Sequence, residues 1–125
     1  MKTADTDLNQ IKNIFSRVMI KLSGEALLGN KEFGIDSDIV DKITFDIVNI
    51  AKNNTEVCIV VGGGNIFRGV AGASQGIERG TADSMGMLAT VINAMAIQNS
   101  IEKHNIPSRV LSAVPMQTVC EPFIR

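Results

Sequence analysis

The stretch Glu56-Val57-Cys58-Ile59-Val60-Val61-Gly62-Gly63-Gly64-Asn65 decides the fold. Its first six residues are continuous and mostly β-branched, and three consecutive glycines stop them abruptly. A run of this kind reads as a strand covered on both faces of a parallel sheet and ending in a loop with exposed backbone. Upstream, Ser37 to Asn53 carries Ile39, Val40, Ile43, Ile47, Ile50 and Ala51 at helical spacing, with Asp36 or Ser37 as N-cap. Before it, Arg17-Val18-Met19-Ile20-Lys21-Leu22-Ser23-Gly24 reads as another buried strand feeding a loop.

Downstream, the glycines at 69, 72, 76 and 80 predict a flexible loop over 69–80. Asp83 or Ser84 then opens a long helix reaching about His104, with Met85, Leu88, Ala89, Ile92, Met95 and Ala96 as its core stripe. Asn105 and Pro107 end it, Ser108 to Val114 forms a third strand, and Pro115 starts a further helix. Strand, helix, strand, helix, strand predicts an α/β fold: a parallel sheet with helices joined by right-handed crossovers. Residues 1–14 form a polar N-terminal segment and 15–125 the folded unit.

Composition removes several function classes. With 12 basic against 13 acidic residues and no basic tract, a nucleic-acid polymer is not an expected partner. Tryptophan and tyrosine are absent, which argues against a base-stacking surface. Apolar runs are too short to cross a bilayer and the first ten residues are polar, so neither a membrane partner nor a secretory signal is expected. The two cysteines, Cys58 and Cys120, are far apart, and Cys58 inside its apolar run reads as a buried thiol; a reducing, cytoplasmic setting follows. His104 has no metal-ligating cluster around it, and the six methionines read as packing residues.

Ligands of open α/β sheets bind beyond the C-terminal ends of the strands, where the unusual residues here fall. Lys21-Leu22-Ser23-Gly24-Glu25 offers a flexible cation and backbone amides to a phosphate. Taken alone, it is better read as a strand-end lysine followed by a turn glycine. Gly62-Gly63-Gly64 is harder to explain without a ligand, because three glycines cost chain entropy and suit close backbone approach. Arg68 adds a phosphate-matching fork. Neither the P-loop spacing nor the dinucleotide glycine fingerprint is present. In Thr81-Ala82-Asp83-Ser84-Met85-Gly86-Met87 the Asp83 carboxylate either caps a helix or accepts from a ribose diol, with the cap favoured. Gly86 in a helical turn suggests close packing by a ligand or the facing strand.

From Arg17 to the last residue the chain resembles the bacterial-type uridylate kinases of the amino-acid kinase superfamily. Four segments carry the resemblance: Lys21-Leu22-Ser23-Gly24-Glu25-Ala26-Leu27, Phe33-Gly34-Ile35-Asp36, Val60 to Gly69, and Ala82 to Asn93. It implies a parallel-rich three-layer αβα sandwich, of which this chain is the N-terminal half. The resemblance also assigns Lys21, Leu22, Ser23 and Gly24 to the ATP phosphates, with Lys21 as the catalytic residue that neutralises the transferring phosphoryl group. Gly64 and Arg68 go with the ATP phosphates, Gly63 and Asp83 with UMP, and Gly29, Asn30, Lys31, Glu32, Phe33 and Gly34 with an activating GTP.

The implied reaction moves the γ-phosphoryl group of ATP to UMP with Mg2+, whose ligands lie mostly outside this chain. UTP inhibition and a homohexamer come with the family. Such a transfer is carried by positioning and charge, for which these residue types suffice. The family's loop completing the UMP site, its acidic residues near magnesium and its adenine-holding lobe have no counterpart in these residues, so this chain by itself is expected to turn over little or not at all. The alternatives are another amino-acid kinase acting on a carboxylate or carbamate, against which the Ala82-Asp83-Ser84-Met85-Gly86-Met87 segment speaks, and a non-catalytic nucleotide-binding or assembly module.

Overall fold

The computed structural model describes residues 14–67 and 75–125. The two apolar runs become strands β1, Arg17–Leu22, and β2, Glu56–Val61, which pair in parallel with Lys21 beside Val60 and Leu22 beside Val61. Between them lies helix α1, Ser37–Lys52, which starts where expected because Asp36 caps it, accepting from the Asp38 and Ile39 amides at 3.0 and 3.3 Å. Its buried Val40, Thr44, Ile47 and Val48 recur at i, i+4, i+7 and i+8, one stripe of a 3.6-residue period. Helix α2, Arg79–Glu102, packs against α1 on the same face of the sheet.

One core cluster results, in which Leu27, Val40, Ile47, Val48, Ile97 and Ile101 meet Ile20, Leu22, Val57, Ile59 and Val61 from the strands. Each fully buried member, such as Leu27 or Val48, contributes about 1.5–3 kcal/mol by leaving water. The other face of β1 and β2 carries Met19, Lys21, Cys58 and Val60, all exposed. Here the expectation of a β2 covered on both faces, with Cys58 buried, is corrected. Both helices pack on one side, so the strands alternate exposed and half-buried residues.

Helix α2 begins four residues earlier than Asp83. Glu78 is its cap, accepting from the Gly80 and Thr81 amides at 3.0 Å each and from the Thr81 hydroxyl. Those three donors hold the Glu78 carboxyl below its ordinary range, the two amides first. The expected core stripe is also corrected. Of that stripe Ala89 is buried as expected, but Met85, Leu88, Ile92 and Met95 are exposed, and Ala82, Asn93, Ile97 and Ser100 are buried instead. α2 is apolar on both sides, and close approach of the glycine loop selects the side with small residues, where a methionine would not fit.

The third strand is much shorter than expected. β3 is only Leu111–Ser112, and it pairs in parallel with β4, Glu121–Pro122, in a sheet separate from β1 and β2. The Ser112 hydroxyl takes the Val114 amide at 3.1 Å, which removes that donor from any longer ladder. Arg109 locks the register through two hydrogen bonds to Glu121, 2.7 and 2.8 Å; this pairing lowers the Glu121 carboxyl and raises the Arg109 guanidinium. Beneath it Val91, Val110 and Cys120 form a second small cluster. The chain from Pro115 makes a turn, not the expected helix, before β4.

The middle of α1 and the last turn of α2 are joined by buried hydroxyls. Ser100 donates to the Asp41 carboxylate at 2.6 Å, since a carboxylate only accepts, and its hydroxyl lies 2.5 Å from that of Thr44, which donates to the Val40 carbonyl at 2.9 Å. Asp41 is held below its ordinary value of 3.8 first by this Ser100 bond, against a smaller opposing effect of burial, with Lys103 and His104 adding to the lowering. A depressed carboxylate contributes stability above its unfolded pKa and loses it as pH falls through the folded value. Ser100→Ala is therefore expected to cost about 1–2 kcal/mol in chemical denaturation and to move Asp41 upward in an NMR titration. An unchanged Asp41 titration would show that Ser100 does not govern it.

Candidate active site at the strand C-termini

Beyond Leu22 the chain turns at Ser23, whose hydroxyl accepts from the Glu25 amide at 3.3 Å and caps a short 3-10 helix, Gly24–Leu27. Beyond Val61 the glycine triplet begins, and Gly62 donates its amide to the Leu22 carbonyl at 3.0 Å. The two loops then touch. A Cβ at Gly24 would lie 2.5 Å from Asn65 Oδ1, 2.8 Å from Gly64 N and 2.9 Å from Gly62 O. Gly24 is thus glycine because the neighbouring loop occupies its side-chain space. Gly63 faces the other way: a Cβ there would lie 2.8 Å from Ala89 Cβ and 3.0 Å from Thr90 N on α2.

The site is therefore built where β1, β2 and α2 converge. Lys21 stands exposed on the open sheet face, one residue before the strand ends. The Leu22 side chain packs into the core, which leaves only its backbone to a ligand. Asp83 is exposed in the second turn of α2, where Arg79 Nε donates to it at 2.9 Å. The cap reading of Asp83 is overturned by Glu78, which does that work. Asp83, Gly86 and Thr90 follow i, i+3, i+7 spacing and share a helix face. Nothing lies within 4 Å of a Cβ at Gly86, so the facing strand is not its close neighbour. On this face the space beside Gly86 is open, and at its far end Gly63 abuts the turn at Ala89 and Thr90.

Segment Gly29–Gly34 sits beside the same loops. Gly29 takes φ +56° against the Asp36 carboxylate, and Lys31 donates to the Ile35 carbonyl at 2.9 Å. Phe33 is 77% exposed, while Gly34 donates its amide to the Asn65 carbonyl at 2.8 Å. Arg68, and the part of the 69–80 loop from 69 to 74, lie outside the described residues. A separate depression of about 720 Å³ is lined by Asp41, Lys42, Phe45, Asp46, Lys103 and His104. It lies at the C-terminal end of α2 and holds none of the expected site residues. His104 there packs edge-on against Phe45 with ring centroids 6.3 Å apart.

Sequence reasoning missed the residues that hold the loops together. Asn65 and Asn93 are 2% and 0% exposed, and their side-chain amides pair with each other. The signal was present: Asn93 is a polar residue in the middle of an apolar helix, and a buried polar group must find a partner.

A parallel βαβ unit whose two strand-end loops interlock beside the first turns of a helix matches a known family. The chain belongs to the amino acid kinase family, whose model matches residues 16–122. Within that family its similarity is to uridylate kinases: it is 56% identical over 111 residues to that of Paramagnetospirillum magneticum, a match covering 89% of this chain and 46% of that protein. With the uridylate kinase of Rickettsia conorii the identity is 52% over 120 residues, covering 96% of this chain and 49% of that protein. The crystal structure of UMP kinase from Bacillus anthracis superposes with a TM-score of 0.81 at 39% identity, over 88% of this chain and 46% of that one. The chain spans about half the length of the relatives it matches. The α/β, amino-acid-kinase-like fold expected from the sequence is the one these neighbours share.

Proposed function

We propose that the protein is a UMP kinase, transferring the γ-phosphoryl group of ATP to the phosphate of UMP to give UDP for pyrimidine nucleotide synthesis. The observation that carries this reading is the interlock of the Lys21 loop with the glycine triplet, which abuts the face of α2 that bears Asp83 and Thr90. In this assignment Lys21 meets the transferring phosphoryl group as a mobile point charge, with the Leu22, Ser23 and Gly24 backbone along the ATP phosphates. Gly64 and Arg68 share that duty. Gly63 approaches the UMP phosphate and the Asp83 carboxylate accepts from the ribose diol, with Arg79 keeping the carboxylate extended.

Magnesium belongs to the proposal as the partner of ATP, since in such sites it is held by one or two carboxylates together with substrate phosphates. GTP activation through Gly29–Gly34, UTP inhibition and a cytoplasmic location are proposed on the same family ground. A homohexamer is proposed as well, and the exposed Met85, Leu88, Ile92 and Met95 stripe of α2 is an apolar surface suited to assembly. No described helix is long and apolar enough to cross a membrane.

Calorimetry with UMP and a coupled assay for UDP test the reading. UMP binding with little or no UDP formation is expected of this chain by itself, and UDP formed from ATP with Mg2+ is expected of a protein spanning the relatives' full length; turnover of acetylglutamate or carbamate by that longer protein with no action on UMP would overturn the reading. In that longer protein, UMP binding with no ATP consumption would favour the assembly-module alternative. Asp83→Asn is expected to weaken UMP about tenfold, the value of a hydrogen bond to a charged group. The exposed Arg79 pair lost with it is worth only about 0.3–0.5 kcal/mol, so the melting temperature should hardly move.

A further inference from the structure

We infer that Asn65 and Asn93 form a positioning pair that sets the glycine triplet for phosphate binding; this rests on the phosphate-site reading given above. The pair is fully used. Asn93 Nδ2 donates to the Gly62 carbonyl and to Asn65 Oδ1, both at 2.7 Å. Asn65 Nδ2 donates to Asn93 Oδ1 at 3.0 Å and to the Gly34 carbonyl at 2.9 Å. Every amide hydrogen of both side chains therefore has an acceptor, and each carbonyl oxygen accepts from the other residue.

This arrangement has one sense only. Turning the Asn93 amide over would set its oxygen against the Gly62 carbonyl, and turning Asn65 would set its oxygen against Gly34. In a buried site such an acceptor clash is costly, so the network fixes the loop in a single orientation. Four parts of the site are tied to these two side chains: the triplet at Gly62, helix α2 through Asn93, the 29–34 segment at Gly34, and the Gly24 turn that lies against Asn65 Oδ1. The pair touches no proposed reacting atom. Its role is to hold the Gly63 and Gly64 backbone where a phosphate meets it, and a loop displaced by an ångström loses much of that contact.

The test compares UMP with uridine, which lacks the phosphate, by calorimetry on the full chain and its variants. Asn93→Asp keeps the shape but puts an acceptor against Gly62 O and Asn65 Oδ1; Asn65→Asp removes the donors to Gly34 and Asn93. Both variants are expected to bind UMP about tenfold more weakly with uridine affinity unchanged. Amide exchange at Gly63 and Gly64 is expected to quicken while exchange in α1 stays slow. For Asn93→Asp, acidification that protonates the new carboxyl restores a donor to Gly62 and should recover UMP affinity relative to the parent at the same pH. UMP affinity unchanged in a folded variant would overturn the inference, as would equal loss for UMP and uridine, or exchange that quickens everywhere alike. If the parent binds no UMP, the phosphate-site reading fails on its own, and the exchange measurement alone still decides whether the pair orders the loop.

Discussion

Gly24→Ala is expected to lower the melting temperature by about 5–12 °C, the effect of roughly 1–3 kcal/mol of overpacking in a domain of this size. The new methyl would lie 2.5 Å from Asn65 Oδ1, 2.8 Å from Gly64 N and 2.9 Å from Gly62 O. Two of those three atoms are backbone of the glycine triplet, and the third belongs to a side chain with no freedom to turn. Relief must come from separating the two loops, so the same substitution is expected to weaken nucleotide phosphate binding as well. Gly86→Ala is the control. Its Cβ meets nothing within 4 Å and it lies inside α2, so alanine should stabilise the fold by about 0.5–1 kcal/mol. Calorimetric melting of the two variants side by side reads both signs; equal effects would show that the loop interlock is not tight.

Lys21→Ala is expected to do the opposite, removing chemistry and leaving the fold intact. Lys21 is exposed on the uncovered face of β1, so its loss should change stability by no more than about 0.5 kcal/mol. As the charge facing the transferring phosphoryl group, its removal from a protein spanning the relatives' full length should cost about 10²–10³-fold in the rate of UDP formation and weaken ATP binding, with little effect on UMP affinity. Lys21→Arg keeps the charge on a broader, planar head and should recover only part of the rate. A Lys21→Ala protein with unchanged ATP affinity and an unchanged rate would reduce Lys21 to a strand-end surface lysine.

Local pattern alone, read from the sequence, determined β1, α1, β2 and the existence of α2. Apolar runs halted by glycine and the i, i+3, i+4 recurrence over 37–53 are properties of neighbouring residues, and backbone hydrogen bonding turns them directly into strands and helices. Asp36 was readable as a cap for the same reason, its acceptor reaching amides only two and three residues away. The three glycines of the triplet also announced close approach. What they approached was decided elsewhere in the chain.

Tertiary structure alone decided which side of α2 is buried. Both of its sides are apolar, and the nearness of Gly63 to Ala89, together with the packing of Ile97 and Ile101 in the core with α1, selects the buried face and leaves Met85, Leu88, Ile92 and Met95 outward. The shortness of β3 rests likewise on Ser112 and on the distant Glu121, neither of which enters a local period. Cys58 is exposed because α1 and α2 share one face of the sheet, a matter of packing that no strand pattern states. The Asn65–Asn93 pair joins residues 28 apart, so its reciprocal bonds exist only once the loop and helix have met. The candidate site divides along the same line: the residues offered to the nucleotides are legible one by one, and the hydrogen-bonded frame that aims them is a product of the fold.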